Sequence, residues 1–295
     1  MNRECMNVVY ASNDGYARHL GTSLYSLLDK NRDFAEIAVY VLTLGLSEEN
    51  QERLREIAEY FGRRLFFLNL DDLRERIGYE VDTGGFDISI MLRLFRGDML
   101  PETVGRVLYL DCDTVVLQSL KHLWKENLEG SIVGAVMEPT IYETVKESID
   151  LGEEDPYYNS GVLLVDLKQW REQKFQKKLL EFWKSRGGKL FAIDQDVING
   201  TLKGQIHTLM PRYNFFTNYR YFAYRERVHL GKTYKAVTPR ELQIAKKHPS
   251  IIHDMGDERP WIAGNLNHYR RAYELYLAKT PWAGAAKEHG KRTYM

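Results

Sequence analysis

The stretch Val107-Leu108-Tyr109-Leu110-Asp111-Cys112-Asp113-Thr114-Val115-Val116 decides how this chain is read. Its first half is an apolar run with Tyr109 as the one polar residue, the mark of a buried strand. Two carboxylates, Asp111 and Asp113, leave the strand's C-terminal end one residue apart. Open α/β sheets place their ligand crevice at that end. Two hard oxygen ligands there suit a divalent cation carrying phosphate oxygens. Spacing alone says little, since about one Asp-x-Asp is expected by chance in a chain of this length. A second one, Asp194-Gln195-Asp196, is indeed present. Asp111 and Asp113 therefore read either as solvated acids at a turn or as a site, and the strand before them favours a site.

Outward from this stretch, strands alternate with helices. Asn7–Ala11 reads as a strand closed by the turn Ser12-Asn13-Asp14-Gly15, and Tyr16–Leu28 has helical spacing through Leu20, Leu24 and Leu27. Ile37–Leu42 is a second strand. Ser47 caps a helix whose apolar face is Leu54, Ile57 and Ala58. Arg64–Leu68 is a third strand, and Ile88–Phe95 reads as helical. This alternation predicts an α/β fold with a doubly wound, Rossmann-like and mostly parallel sheet flanked by helices. Beyond Asp113, Ile132–Met137 and Gly161–Leu167 are further strands, and Asp194–Leu202 is a helix. An aromatic stretch, 213–224, follows. Tyr269–Ala278 is a short helix, then come Pro281 and a polar tail. With no repeat or low-complexity linker, the expectation is one domain over 1–265 and a short C-terminal extension over 266–295.

The 295 residues carry 41 Lys+Arg against 41 Asp+Glu, so there is no basic excess of the kind a nucleic-acid binder shows. Cys5 and Cys112 alone make no disulfide framework. Met1–Val9 lacks the apolar core of a signal peptide, and no run approaches the ~20 apolar residues of a membrane helix. A cytoplasmic enzyme is the expectation, with peripheral attachment at the inner membrane face as the alternative.

Three further segments carry chemistry. His253 follows the short strand Ser250–Ile252 and opens His253-Asp254-Met255-Gly256-Asp257-Glu258-Arg259-Pro260-Trp261. With its glycine, its cation and its stiff Pro-Trp end, this segment suits a mobile lid folding over a diphosphate. Tyr157-Tyr158-Asn159-Ser160-Gly161 reads either as a plain turn or as a polar rim holding a substrate hydroxyl. Asp194-Gln195-Asp196 reads either as first-turn acids complementing a helix dipole or as part of a site.

Together these blocks resemble the family 8 retaining glycosyltransferases, which include bacterial lipopolysaccharide galactosyltransferases and glucosyltransferases and glycogenin. The blocks run in the family's order from Asn7 to Trp261: Val9–Tyr16, Leu110–Asp113, Asn159–Leu164, Asp194–Gly200 and His253-x-x-Gly256-x-x-Arg259-Pro260-Trp261. Arg212-Tyr213-Asn214-Phe215 is similar to the segment that follows the acidic pair. The resemblance implies a GT-A fold, a UDP-hexose donor, a carbohydrate or glycan acceptor, and manganese or magnesium bound by Asp111, Asp113 and His253. It puts Ala11, Ser12, Asn13 and Tyr16 around uracil and ribose, and Arg93 and Cys112 beside the donor. Gly256 and Arg259 would lie at the diphosphate, and Asn159, Asp194 and Gln195 around the transferred sugar. The sequence departs from the pattern in Asn13, where many members have Asp, and in Arg259, where Lys is usual. Gln195 is a poor covalent nucleophile, so front-face attack is favoured, with Asp194 and Gln195 orienting the reactants. Two rival readings are a haloacid-dehalogenase-like phosphatase with Asp111 as nucleophile and a non-catalytic sugar-nucleotide-binding protein.

Overall fold

A computed structural model describes residues 5–80, 88–256 and 259–289. Seven strands form one sheet: β1 (Cys5–Ser12), β2 (Glu36–Thr43), β3 (Arg64–Asn69), β4 (Arg106–Leu110), β6 (Val133–Met137), β7 (Tyr158–Asp166) and β8 (Ile206–Leu209). Their order is β3-β2-β1-β4-β7-β6-β8. A small second sheet joins β5 (Thr114–Val116), β9 (Phe215–Phe216) and β10 (Ile251–His253) in the order β5-β10-β9.

The central strands β2, β4, β6 and β7 are buried on both faces, which is why they are apolar runs rather than alternations, whereas the edge strands β3 and β8 are partly exposed. Side chains alternate across a strand. Met6, Val8 and Tyr10 of β1 and Leu108 and Leu110 of β4 pack with the helix Ala17–Lys30 through Leu20, Leu24 and Leu27. Val9, Val107 and Tyr109 face the opposite layer, with Leu179 and Trp183 of the helix Phe175–Ser185 and Val197 of the helix Ile193–Thr201. The Ser47 cap forms as expected, its Oγ accepting from Asn50 N at 3.3 Å.

The sheet is mostly parallel, as the GT-A expectation has it, and one strand is reversed. β4 and β6 both pair antiparallel with β7, while the remaining pairs of the large sheet are parallel. The reversed strand is thus β7. That reversal carries the start of β7 to the C-terminal end of β4: Leu110 pairs with Val162, and Asp111 N donates to Gly161 O at 2.8 Å. β7 also starts earlier than Gly161, so Asn159 and Ser160 belong to the strand and not to a turn before it.

The helix expected over Tyr269–Ala278 spans Arg270–Leu277, and its Tyr273 and Tyr276 join the core beside the Ala17–Lys30 helix. The described part of the segment after Pro281 is not a loose polar tail. Glu288 N donates to Trp261 O and Ala263 N to Glu288 O, both at 2.9 Å, and the Trp282 ring lies against Gly21. Among the described residues no helix is long and apolar enough to cross a membrane.

Candidate functional site

Strand order reverses between β1 and β4, and a crevice opens past the ends of such strands. β1 delivers Ala11, Ser12 and Asn13 there. Asn13 Oδ1 accepts from Tyr16 N at 3.2 Å, capping a short turn, and Asn13 Nδ2 donates to Ser89 Oγ at 3.2 Å. Cys112 is buried, its Sγ against Ala11 O at 3.2 Å, and burial pushes its thiol up. The two strand ends are thereby stitched together.

Asp111 and Asp113 follow β4. His253 ends β10, which is antiparallel to β5 with His253 opposite Thr114, and Asp254 N donates to Asp113 O at 2.9 Å. This pairing sets the imidazole Nε2 3.1 Å from Asp113 Oδ1 and 3.8 Å from Asp111 Oδ2. One ligand atom from each of the three residues lies within 4.8 Å of the others. Two carboxylates and a ring nitrogen form a donor set that fits a divalent metal. Burial tends to lower the His253 pKa, but the Asp113 carboxylate outweighs it and raises it. Burial likewise tends to raise Asp113, yet His253 and Arg259 hold it below the usual carboxylate range. Both shifts mark a place that favours positive charge at Nε2.

Arg93 is the counter-charge behind this cluster. Its Nη1 lies 3.1 Å from Asp111 Oδ1, 3.2 Å from Asp194 Oδ2 and 3.1 Å from Ser160 Oγ. The Tyr109 hydroxyl donates to Asp111 Oδ1 at 2.6 Å. Asp194 also accepts from Ser160 Oγ at 3.0 Å. Burial raises the Asp194 carboxyl even though Arg93 opposes it. Asp194 and Gln195 sit at the start of the helix Ile193–Thr201 after Ile193, which has φ +38°. A β-branched residue in that region is strained and needs its surroundings to hold it. Asp196 supplies the hold, its Oδ2 accepting from Ala192 N at 2.7 Å.

Gly161 has no room for a side chain. A Cβ there would lie 2.8 Å from His253 Nδ1 and 2.9 Å from Asp111 Oδ2. Gly256 is different: it is exposed with φ +62°, and its surroundings are open, so its backbone conformation and not crowding calls for glycine. Arg259 is half-buried, near the Trp261 ring, and among the described residues its Nε has no hydrogen-bond partner. Asp257 and Glu258 of the expected lid lie outside the described residues. The aromatic stretch is mainly packing, with Tyr213, Phe215 and Phe216 in the core and Tyr221 exposed.

Side-chain contacts thus join Arg93, Asp111, Asp113, Asn159, Asp194, Gln195 and His253 into one cluster, with Cys112 packed against Ala11 beside it, while Asn13 bonds to Tyr16 and Ser89. Two members were missed by sequence reasoning. Asn214 bridges His253 Nδ1 at 3.0 Å and Asn159 Oδ1 at 2.8 Å. Nothing in its aromatic neighbourhood signals this. Glu138, the residue after β6, accepts from Asn159 Nδ2 at 3.0 Å, and an acid at a strand end was a signal available in the sequence. Burial pushes the Glu138 carboxyl up to about 7 against the weaker opposing pull of Asn159.

That shift has a thermodynamic consequence. The folded chain holds the Glu138 proton more tightly than the unfolded chain, so stability falls as pH rises from the ordinary value of 4.5 through about 7. The full cost above that window is roughly 3 kcal/mol. Glu138→Gln should therefore raise the melting temperature by about 5 °C at pH 8 and leave it nearly unchanged at pH 4.5. Calorimetry at both values checks this, and an equal shift at both would assign the effect to packing.

A mostly parallel α/β sheet carries an Asp-Asp-His cluster with a compensating arginine past its strand ends. The profile described as Glycosyl transferase family 8 matches residues 7–264, and the chain belongs to that family. It is 29% identical to General stress protein A of Bacillus subtilis (strain 168), covering 95% of each chain. It is 27% identical to Lipopolysaccharide 1,2-glucosyltransferase of Escherichia coli (strain K12), over 95% of this chain and 79% of that one. Among solved structures it is similar to the galactosyltransferase LgtC in complex with donor and acceptor sugar analogs. There the TM-score is 0.79 at 26% identity, with 94% of this chain and 96% of that one covered. Family membership removes the phosphatase reading.

Proposed function

We propose that this glycosyltransferase moves a hexose, glucose or galactose, from a UDP-sugar to a carbohydrate or glycan acceptor, with retention of anomeric configuration. One observation carries the reading: Asp111, Asp113 and His253 converge on one point, with Arg93 linking that point to Asp194. These three would hold manganese or magnesium. Such an ion, when bound, neutralises charge on the leaving diphosphate where it develops. The relatives' names, a glucosyltransferase and a galactosyltransferase, support a hexose.

The chain's own residues divide the remaining work. Ala11, Ser12, Asn13 and Tyr16 would receive the nucleoside at the end of β1. Cys112 would close that floor. Gly256 and Arg259 would meet the diphosphate, and the Arg259 Nε, without a hydrogen-bond partner among the described residues, supports this role. Asn159, Asp194 and Gln195 would orient the sugar and stabilise positive charge at its anomeric carbon during front-face attack. Residues 1–265 would form the catalytic domain and 266–295 its extension, working in the cytoplasm or at the inner membrane face.

Asp113→Asn tests the reading. With saturating manganese, UDP release from a UDP-hexose should fall by at least about 100-fold, because a metal ligand is lost where transition-state charge develops. Undiminished UDP release would remove Asp113 from the metal set. The α-anomeric product expected from an α-linked donor is read by proton NMR, and a β product would end the retaining assignment.

A further inference from the structure

Side-chain amides run unbroken from the start of the Ile193–Thr201 helix to His253, and two backbone N–H groups fix their direction. Ser160 N donates to the Gln195 side chain at 3.0 Å, so the atom it meets must be the oxygen Oε1. Gln195 Nε2 is thereby turned to the Tyr157 hydroxyl oxygen, 3.2 Å away. The phenol hydrogen then goes to Asp196 Oδ1 at 2.5 Å, where an acceptor ends the chain. In the other direction, Gly161 N donates to Asn159 Oδ1 at 2.9 Å. Asn159 Nδ2 must therefore face Gln195 Oε1, also at 3.0 Å. Asn159 Oδ1 takes a second bond from Asn214 Nδ2, at 2.8 Å. Asn214 is left with only its oxygen to offer the His253 ring, 3.0 Å from Nδ1.

An amide oxygen cannot donate, so Nδ1 of His253 carries a hydrogen. Nε2 faces Asp113 Oδ1 at 3.1 Å, donating to it when no cation is bound, and it is the ring nitrogen free to exchange its hydrogen for a cation held by Asp111 and Asp113. Neither amide can flip. Reversing Gln195 sets an NH2 against Ser160 N, and reversing Asn159 sets one against Gly161 N. Each reversal leaves a buried donor unsatisfied.

We propose that Asn214 and Tyr157 are positioning residues at opposite ends of this chain. Asn214 selects the His253 tautomer that can ligate a cation through Nε2. Tyr157 holds the Gln195 amide with its oxygen toward Asn159 and Ser160. The inference rests on the roles given to His253 and Gln195 above, but its first readout needs neither metal nor turnover.

Nitrogen-15 NMR of the metal-free wild-type protein should show a hydrogen on Nδ1 that exchanges slowly with water, as its bond to Asn214 Oδ1 requires. A bare Nδ1, or an Nδ1 hydrogen that exchanges as fast as in a solvent-exposed imidazole, would overturn the proposal. Asn214→Leu removes the acceptor and should leave the Nδ1 hydrogen absent or fast-exchanging, with manganese binding about 10- to 100-fold weaker by calorimetry. Tyr157→Phe keeps the buried ring and should leave manganese affinity unchanged. It should lower kcat about tenfold with donor KM within twofold. Wild-type manganese affinity in Asn214→Leu, or wild-type kcat in Tyr157→Phe, would overturn the corresponding end. If Asn214→Leu does not fold, the wild-type Nδ1 hydrogen decides. A wild-type protein that neither binds manganese nor turns over UDP-hexose defeats the catalytic reading instead, and the Nδ1 hydrogen still decides the network.

Discussion

Gly161→Ala should abolish transfer and divalent-metal binding while the chain stays folded. The reversed strand β7 lays Gly161 beside the end of β4, where its carbonyl accepts from Asp111 N at 2.8 Å. A methyl group there would lie 2.8 Å from His253 Nδ1 and 2.9 Å from Asp111 Oδ2, closer than real Cβ contacts come. Neither neighbour can step aside freely. Asp111 is held by the Tyr109 hydroxyl at 2.6 Å and by Arg93, and His253 by Asn214 at 3.0 Å. Overpacking of this kind costs about 1–3 kcal/mol, which a domain of this size survives. Ligand geometry is less forgiving, since metal–ligand distances are held within about 0.2 Å. A displacement near 1 Å also costs on the order of 100-fold in rate. Manganese calorimetry, UDP-hexose turnover and melting temperature, measured together, check this. Wild-type metal affinity in the alanine variant would reduce Gly161 to a strand-packing residue.

How far such a site can be read from sequence depends on how local its causes are. The Asp111 strand was legible because burial on both faces leaves an unbroken apolar run, and because its acids sit at the strand's end. The helix Ala17–Lys30 was legible for the same reason, through the spacing of Leu20, Leu24 and Leu27. The direction of β7 was not legible. A strand buried on both faces has the same pattern whichever way it runs. Yet that direction is what brings Asn159, Ser160 and Gly161 to Asp111. Without it, Tyr157–Gly161 reads as a rim in front of a strand.

The electrostatics were less legible still. Arg93 meets Asp111 and Asp194 across sequence distances that no local pattern spans. It was named through family resemblance, not through its contacts. Asn214 acts through one amide between two buried partners, and its aromatic neighbours say nothing of that. Glu138 is the instructive omission. It follows β6 as Asp111 follows β4, yet a lone acid after a strand is common, and only its burial separates it from a solvated one.

Arg93→Met tests how much of this fold's stability is spent on the crevice. Arg93 is the cation shared by Asp111, Asp194 and the Ser160 hydroxyl. Methionine fills much of the same volume without the charge, leaving two inward-facing carboxylates uncompensated. Breaking a buried ion pair by removing one partner costs about 3–5 kcal/mol. For a chain of this size that is a fall in melting temperature of about 5–8 °C. The sign with pH follows from Asp194, whose carboxyl burial already raises while Arg93 holds it down. Without Arg93 the folded state binds that proton more tightly than the unfolded state does. The deficit should therefore be largest near pH 8 and shrink as pH falls toward 5. Manganese should shrink it too, by supplying a positive charge on the Asp111 side of the crevice and stabilising the folded state it binds. Melting curves across pH 5–8, with and without manganese, check both effects. A deficit independent of pH and metal would mean that Arg93 stabilises by packing its stem, and that charge balance at the crevice is set by other groups.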